Sequence, residues 1–113
     1  MELFCREYGE DRRGSPLVFL HGLFGSSANW RGIARRFSDA HRVLVPDLRN
    51  HGQSPHADDV SFASQAGDVL ALLDASGVEQ AVLVGHSMGG KVAMRLALDA
   101  PERVSALTCV DIA

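Results

Sequence analysis

At 113 residues, 46% hydrophobic and with a net charge of −3, the chain has the size and composition of one small globular domain. Its 11 basic residues are scattered, which leaves no basic face for nucleic acid or an anionic membrane, so neither is expected as a partner. No apolar run approaches the roughly 18 residues of a membrane span, and the N-terminus lacks the basic and apolar regions of a secretory signal, so a cytoplasmic location is expected.

The first segment, Glu2 to Tyr8, mixes polar and apolar residues and suits an edge strand. Four later runs are apolar on consecutive residues: Leu17 to Leu20, Arg42 to Pro46, Ala81 to Val84 and Val104 to Val110. That pattern belongs to parallel strands covered on both faces. Between them lie segments of helical period. Trp30, Ile33, Ala34 and Phe37 share one face, with Ser26 and Ser27 available as N-caps. Phe62, Ala66, Val69, Leu70 and Leu73 share another, which Gly77 can terminate. A third helix is expected from Met88 to Asp99, stopped by Pro101, with Gly89, Gly90, Ala93 and Ala97 allowing close packing on a sheet. Alternating strands and helices predict an α/β fold: an open, mostly parallel sheet with helices on both faces. No repeat or linker divides residues 1–113. The loop from Asn50 to Asp59 follows a strand end, where such sheets line their ligand crevice. Cys5 and Cys109 sit in strand-like runs and are expected as small buried hydrophobes, and no His, Cys or carboxylate cluster has ligand spacing, so neither disulfide nor metal is expected.

Chemistry concentrates at Gly85-His86-Ser87-Met88-Gly89, where an apolar strand enters a Gly-x-Ser-x-Gly turn and a helix leaves it. A serine is useful as a nucleophile when a base reaches it and donors hold the developing oxyanion, and a tight turn above a rigid sheet presents it for both. The same residues also match Gly-x-x-x-x-Gly-Lys, a phosphate-binding loop, over Gly85 to Lys91. A Mg-nucleotide site needs a hydroxyl at the next position, which is Val92. A second glycine-rich turn, His21-Gly22-Leu23-Phe24-Gly25-Ser26, follows the strand Leu17 to Leu20 and emerges at the same sheet edge. An oxyanion hole takes one N–H from the residue after the nucleophile and one from such a loop, here Met88 and Leu23.

With Asp47-Leu48-Arg49-Asn50-His51-Gly52-Gln53-Ser54 between them, these motifs, in this order and spacing, resemble the N-terminal half of an α/β-hydrolase-fold enzyme over essentially the whole chain. The Arg49 to Gly52 loop, the Gly89-Gly90-Lys91 step and the ending Val110-Asp111-Ile112-Ala113 are most similar to the small esterase and acyl-CoA thioesterase-like serine hydrolases. The resemblance implies Ser87 as nucleophile, Leu23 and Met88 as backbone oxyanion donors, and no cofactor. It leaves the phosphate-loop reading with two motifs unexplained. No Gly-x-Gly-x-x-Gly follows the first apolar strand, as a dinucleotide site would require.

The Asp47 loop is expected to shape the site through internal hydrogen bonds. His86, beside the nucleophile, should diverge from it on a sharp turn. Phe24, Trp30 and Met88 are candidates for an apolar pocket, though each also suits the core. Asp111 ends the last apolar run, where a buried carboxylate could orient a histidinium; related enzymes more often place this acid one strand later. In this superfamily the triad runs serine, acid, histidine along the chain, and His21, His41, His51, His56 and His86 all precede Asp111. The chain is therefore expected to be the N-terminal part of a single domain of roughly 250 residues, its last strand left uncovered. The expected function is hydrolysis of a small-molecule carboxylic ester or acyl thioester through a Ser87 acyl-enzyme. The alternative is a non-catalytic binding module of the same fold, or an inert fragment.

Overall fold

The computed structural model describes residues 1–111; Ile112 and Ala113 lie outside it. Five strands form one sheet in the order β1-β3-β2-β4-β5, from β1 (Cys5–Tyr8), β2 (Gly14–Leu20), β3 (His41–Pro46), β4 (Ala81–His86) and β5 (Val104–Val110). β1 runs antiparallel to β3 at one edge, and all other pairings are parallel. The mixed N-terminal segment is thus the edge strand its polarity predicts.

Alternation along the central strands feeds two separate cores. Val18 and Leu20 of β2, Leu44 of β3 and Ala81 and Leu83 of β4 face α2 (Phe62–Ala75) and α3 (Met88–Asp99), and pack with Ala66, Val69, Leu73, Val92, Ala93 and Leu96. Leu17, Phe19, Val43 and Val45 point to the opposite face, where α1 (Arg31–Phe37) supplies Ala34 and the half-buried Trp30 precedes it. Both faces being covered explains why these strands read as unbroken apolar runs.

The helix ends follow their local chemistry. Ser61 Oγ accepts the Ser64 N–H and caps α2. At its other end Gly77 adopts φ +69°, donating to Asp74 O, while Val78 donates to Leu73 O. This pair of bonds is the Schellman arrangement that a terminal glycine permits. The first predicted helix starts differently from expectation. A 3₁₀ turn, Ser27–Trp30, precedes α1, and Ser26 caps that turn with Asn29 in a reciprocal capping box. Ser27 is no cap; it is buried, donating its N–H to Asp47 and accepting from Arg6 at Oγ. Nor is the predicted face of α1 fully inside: Ala34 is buried, but Ile33 and Phe37 are 44% and 45% exposed because α1 lies over one flank of the sheet. β5 forms the other edge, and Cys109 on it is exposed, against expectation, because this strand has no neighbour beyond it among the described residues.

Candidate active site

β4 ends at His86 and α3 begins at Met88, which leaves Ser87 as the single residue of the reversal. Its backbone sits at φ 52°, ψ −114°, outside the regions that L-residues ordinarily occupy. Such strain costs on the order of 1–3 kcal/mol and persists only where surrounding contacts over-determine it. Here they do. Ser87 N–H donates to Val110 O at 3.0 Å, and Ser87 O accepts from Gly90 N–H at 3.0 Å and Lys91 N–H at 3.2 Å. The flanking glycines are required by the close approach of backbone. A Cβ on Gly85 would fall 2.5 Å from Gly90 Cα, and one on Gly89 would collide with the carbonyl of Leu20.

The second turn lies alongside. Gly25 N–H donates to Gly22 O at 2.9 Å and Phe24 has φ +63°, the geometry of a type II turn with Leu23 and Phe24 at its centre. That closing bond uses neither central amide, so Leu23 N–H remains available to a ligand. Met88 N–H occupies the first position of α3, where no intrahelical acceptor exists.

The Asp47 loop holds these turns in register. Asp47 is buried and accepts Ser27 N–H at 2.7 Å and Gln53 N–H at 2.9 Å. Burial alone would raise its pKa, but the bonds from Gln53 and Ser27 outweigh burial and hold it below the ordinary carboxylate value. Gly52, at φ +49°, lies so close that a Cβ would meet the Asp47 carboxylate. Ser54 Oγ donates to Asp47 O and accepts Phe4 N–H at 2.9 Å, while Asn50 Oδ1 accepts Ala57 N–H at 2.7 Å. Arg49 makes a two-pronged bond to the buried Asp68 of α2, at 2.6 and 2.8 Å. The loop is thus the internally bonded shaping element expected from sequence.

Ser87 opens onto a cleft of about 530 Å³ whose walls come from all three regions: Leu23 and Phe24, then Arg49, Asn50 and His51, then Met88 and Lys91. Val60, Phe62 and Gln65 complete it. Of the loop expected to line the crevice, Asn50 to Asp59, Asn50 and His51 do so, and Val60, Phe62 and Gln65, which follow it, extend the wall. Phe62, placed by period on the buried face of α2, is 41% exposed because the first turn of that helix borders the cleft. Of the three pocket candidates, Phe24 and Met88 line the cleft. Trp30 instead stacks on Phe19, with ring centroids 5.0 Å apart, and borders a separate hollow beyond the Gly22 turn.

The histidines are placed elsewhere or already bonded. His86 lines the separate hollow, so it diverges from Ser87 as expected. His21 is buried, its Nδ1 paired with Gly22 O at 2.8 Å and its Nε2 accepting Leu48 N–H at 2.9 Å. His51 borders the cleft with Nδ1 on Arg49 O at 2.9 Å and Nε2 accepting Phe24 N–H at 3.1 Å. His41 bonds Ser15 O, and His56 is exposed in the loop. Asp111 directly follows β5, its carboxylate 3.9 Å from His86 Nε2. Sequence reasoning expects that carboxylate to be buried. It is 88% exposed, since no described element packs over the end of the edge strand, and it is not among the residues lining the Ser87 cleft.

A strained serine between strand and helix, two glycine-rich turns beside it and a parallel sheet beneath define the architecture of an α/β protein built around a strand-end serine. The sequence model described as the alpha/beta hydrolase fold matches residues 15–112, and the chain belongs to that family. It is 50% identical over 98 residues to the sn-1-specific diacylglycerol lipase ABHD11 of Mus musculus, covering 85% of this chain and 32% of that protein. To Esterase YbfF of Escherichia coli strain K12 it is 41% identical over 99 residues, covering 88% of this chain and 39% of the other. A solved structure described as a marine microorganism esterase superposes with a TM-score of 0.92 at 44% identity, over 96% of this chain and 41% of that one. The chain spans about a third of the length of the curated relatives it matches, 32% for the lipase.

Proposed function

We propose that residues 1–113 form the nucleophile-bearing part of a serine hydrolase that cleaves a carboxylic ester or acyl thioester in the complete protein. The observation that carries this reading is Ser87 at φ 52° between β4 and α3, opening onto the cleft beside Leu23 and Met88. Similarity to a lipase and to esterases supports the hydrolytic class. In this reading Ser87 Oγ attacks the substrate carbonyl and passes its proton to a histidine base outside the described residues. The N–H groups of Leu23 and Met88 hold the oxyanion. Collapse of the tetrahedral adduct expels the alcohol or thiol, which takes the proton from the histidinium. Water, deprotonated by the same histidine, then attacks the acyl-Ser87 carbonyl and releases the acid. A carboxylate orients that histidine. Asp111 is one candidate for it, reached if the strand end is covered in the whole protein.

The test uses the complete protein, short-chain aryl esters, acyl thioesters and a fluorophosphonate probe. Ser87→Ala should lower kcat on the order of 10⁴- to 10⁶-fold and abolish probe labelling. Turnover and labelling unchanged in that variant would remove Ser87 from the mechanism.

A further inference from the structure

Two histidines link the Gly22 turn to the Asp47 loop in opposite directions. His21, at the root of the turn, accepts Leu48 N–H from the loop; His51, in the loop, accepts Phe24 N–H from the turn. The rings lie 5.0 Å apart, and each presents its other nitrogen to a carbonyl, Gly22 O for His21 and Arg49 O for His51. A nitrogen that accepts an N–H carries no proton, so both rings are neutral with the hydrogen on Nδ1. The His51 bond spans 27 residues of chain and ends on the central peptide of the type II turn. That peptide has little else to hold it. Phe24 is 92% exposed, and its φ of +63° is unfavourable for a residue with a Cβ. Rotation of this one peptide converts a type II turn into type I, in which Phe24 would leave the left-handed region. That flip leaves Leu23 N–H in place, but without the bond to His51 the exposed turn loses its tie to the Asp47 loop and can shift as a unit about Gly22 and Gly25, carrying Leu23 N–H with it.

We propose that His51 is a positioning residue: by accepting Phe24 N–H it holds the turn in the form that presents Leu23 N–H to the oxyanion. This rests on the reading of Ser87 and Leu23 given above. His51 acts as an acceptor and carries no proton in the reaction. Both ring nitrogens are already engaged, so proton transfer from Ser87 would require the bond to Phe24 to break.

Glutamine separates the two roles, because its side-chain oxygen can accept an N–H but its amide cannot shuttle a proton. In the complete protein His51→Leu should lower kcat about 10- to 100-fold with KM within about threefold, because a misplaced oxyanion donor weakens the transition state more than the ground state. His51→Gln should restore kcat to within about fivefold of the parent. A boronic acid that mimics the tetrahedral adduct should lose affinity in the Leu variant in proportion to kcat. Should His51→Leu not fold, the Gln variant decides alone. A folded His51→Gln protein that has lost kcat on the order of 10⁴-fold would make His51 the base and overturn the proposal. So would a folded His51→Leu protein with unchanged kcat and boronate affinity. Ser87→Ala, measured alongside, keeps the outcomes apart. Activity surviving that substitution defeats the nucleophile assignment itself, whereas an inactive Ser87→Ala protein beside an unaffected His51→Leu protein defeats only the role of His51.

Discussion

His21 stabilises its surroundings only as a neutral ring, since Nε2 must accept Leu48 N–H. Burial pushes its pKa below the ordinary 6.5. The unfolded chain therefore takes up a proton near the ordinary value while the folded chain does not. The stabilisation is fully present above 6.5 and is lost as pH falls through the lower native value. Unfolding free energy measured by denaturant titration should decline as pH falls below the ordinary 6.5, and His21→Gln should flatten that decline. His21→Leu leaves Leu48 N–H without a partner, while Gly22 O keeps its bond from Gly25 N–H, and should cost about 1–3 kcal/mol at neutral pH. At this scale sequence and structure divide clearly. Ser87, Gly85 and Gly89 are legible because a tight turn confines its requirements to five consecutive positions. The bond from Phe24 to His51 is not legible, because its partners are 27 residues apart and neither residue type advertises it.

Among the elements, glycine substitutions separate backbone conformation from packing. Gly77 closes α2 at φ +69° with open space around it, so Gly77→Ala meets only the conformational penalty, about 1 kcal/mol. Gly89 has an ordinary helical role, but its missing Cβ lets α3 rest on the end of β2. Gly89→Ala drives a methyl group into the carbonyls of Leu20 and His21, which should cost several times as much, about 3 kcal/mol or more. Thermal unfolding of the two variants should rank them in that order, and the Gly89 variant should also move the Ser87 turn. Helical period identifies much of the inner faces of α2 and α3, since Ala66, Val69, Leu73, Gly89, Gly90 and Ala93 are all buried, although Ala97 is only half-buried and the buried Leu96 is not on the expected face. It misplaces Phe62, Ile33 and Phe37, because period specifies which residues share a face without specifying how far that face is covered.

Across the whole molecule the two cores are unequal. The side bearing α2 and α3 joins Leu3, three strands and two helices into one buried cluster, whereas the α1 side rests on a single short helix. Leu73→Ala, fully enclosed in the larger core, should cost about 2–5 kcal/mol. Ile33→Ala on α1, 44% exposed, should cost about 1 kcal/mol. Equilibrium unfolding of the two variants checks the contrast. The consecutive apolar strands and the intervening helical periods were enough to establish a mostly parallel α/β sheet, because burial on both faces leaves its mark in every central strand. The three turn motifs placed the candidate serine and its neighbours at one sheet edge, because each motif is local. Only the tertiary structure decided that Arg49 is held by Asp68, that Asp111 stands in solvent, and that two neutral histidines link the loops on either side. Those outcomes depend on where side chains distant in sequence meet, and on whether a neighbour covers them, which the order of residues along a strand or helix does not encode.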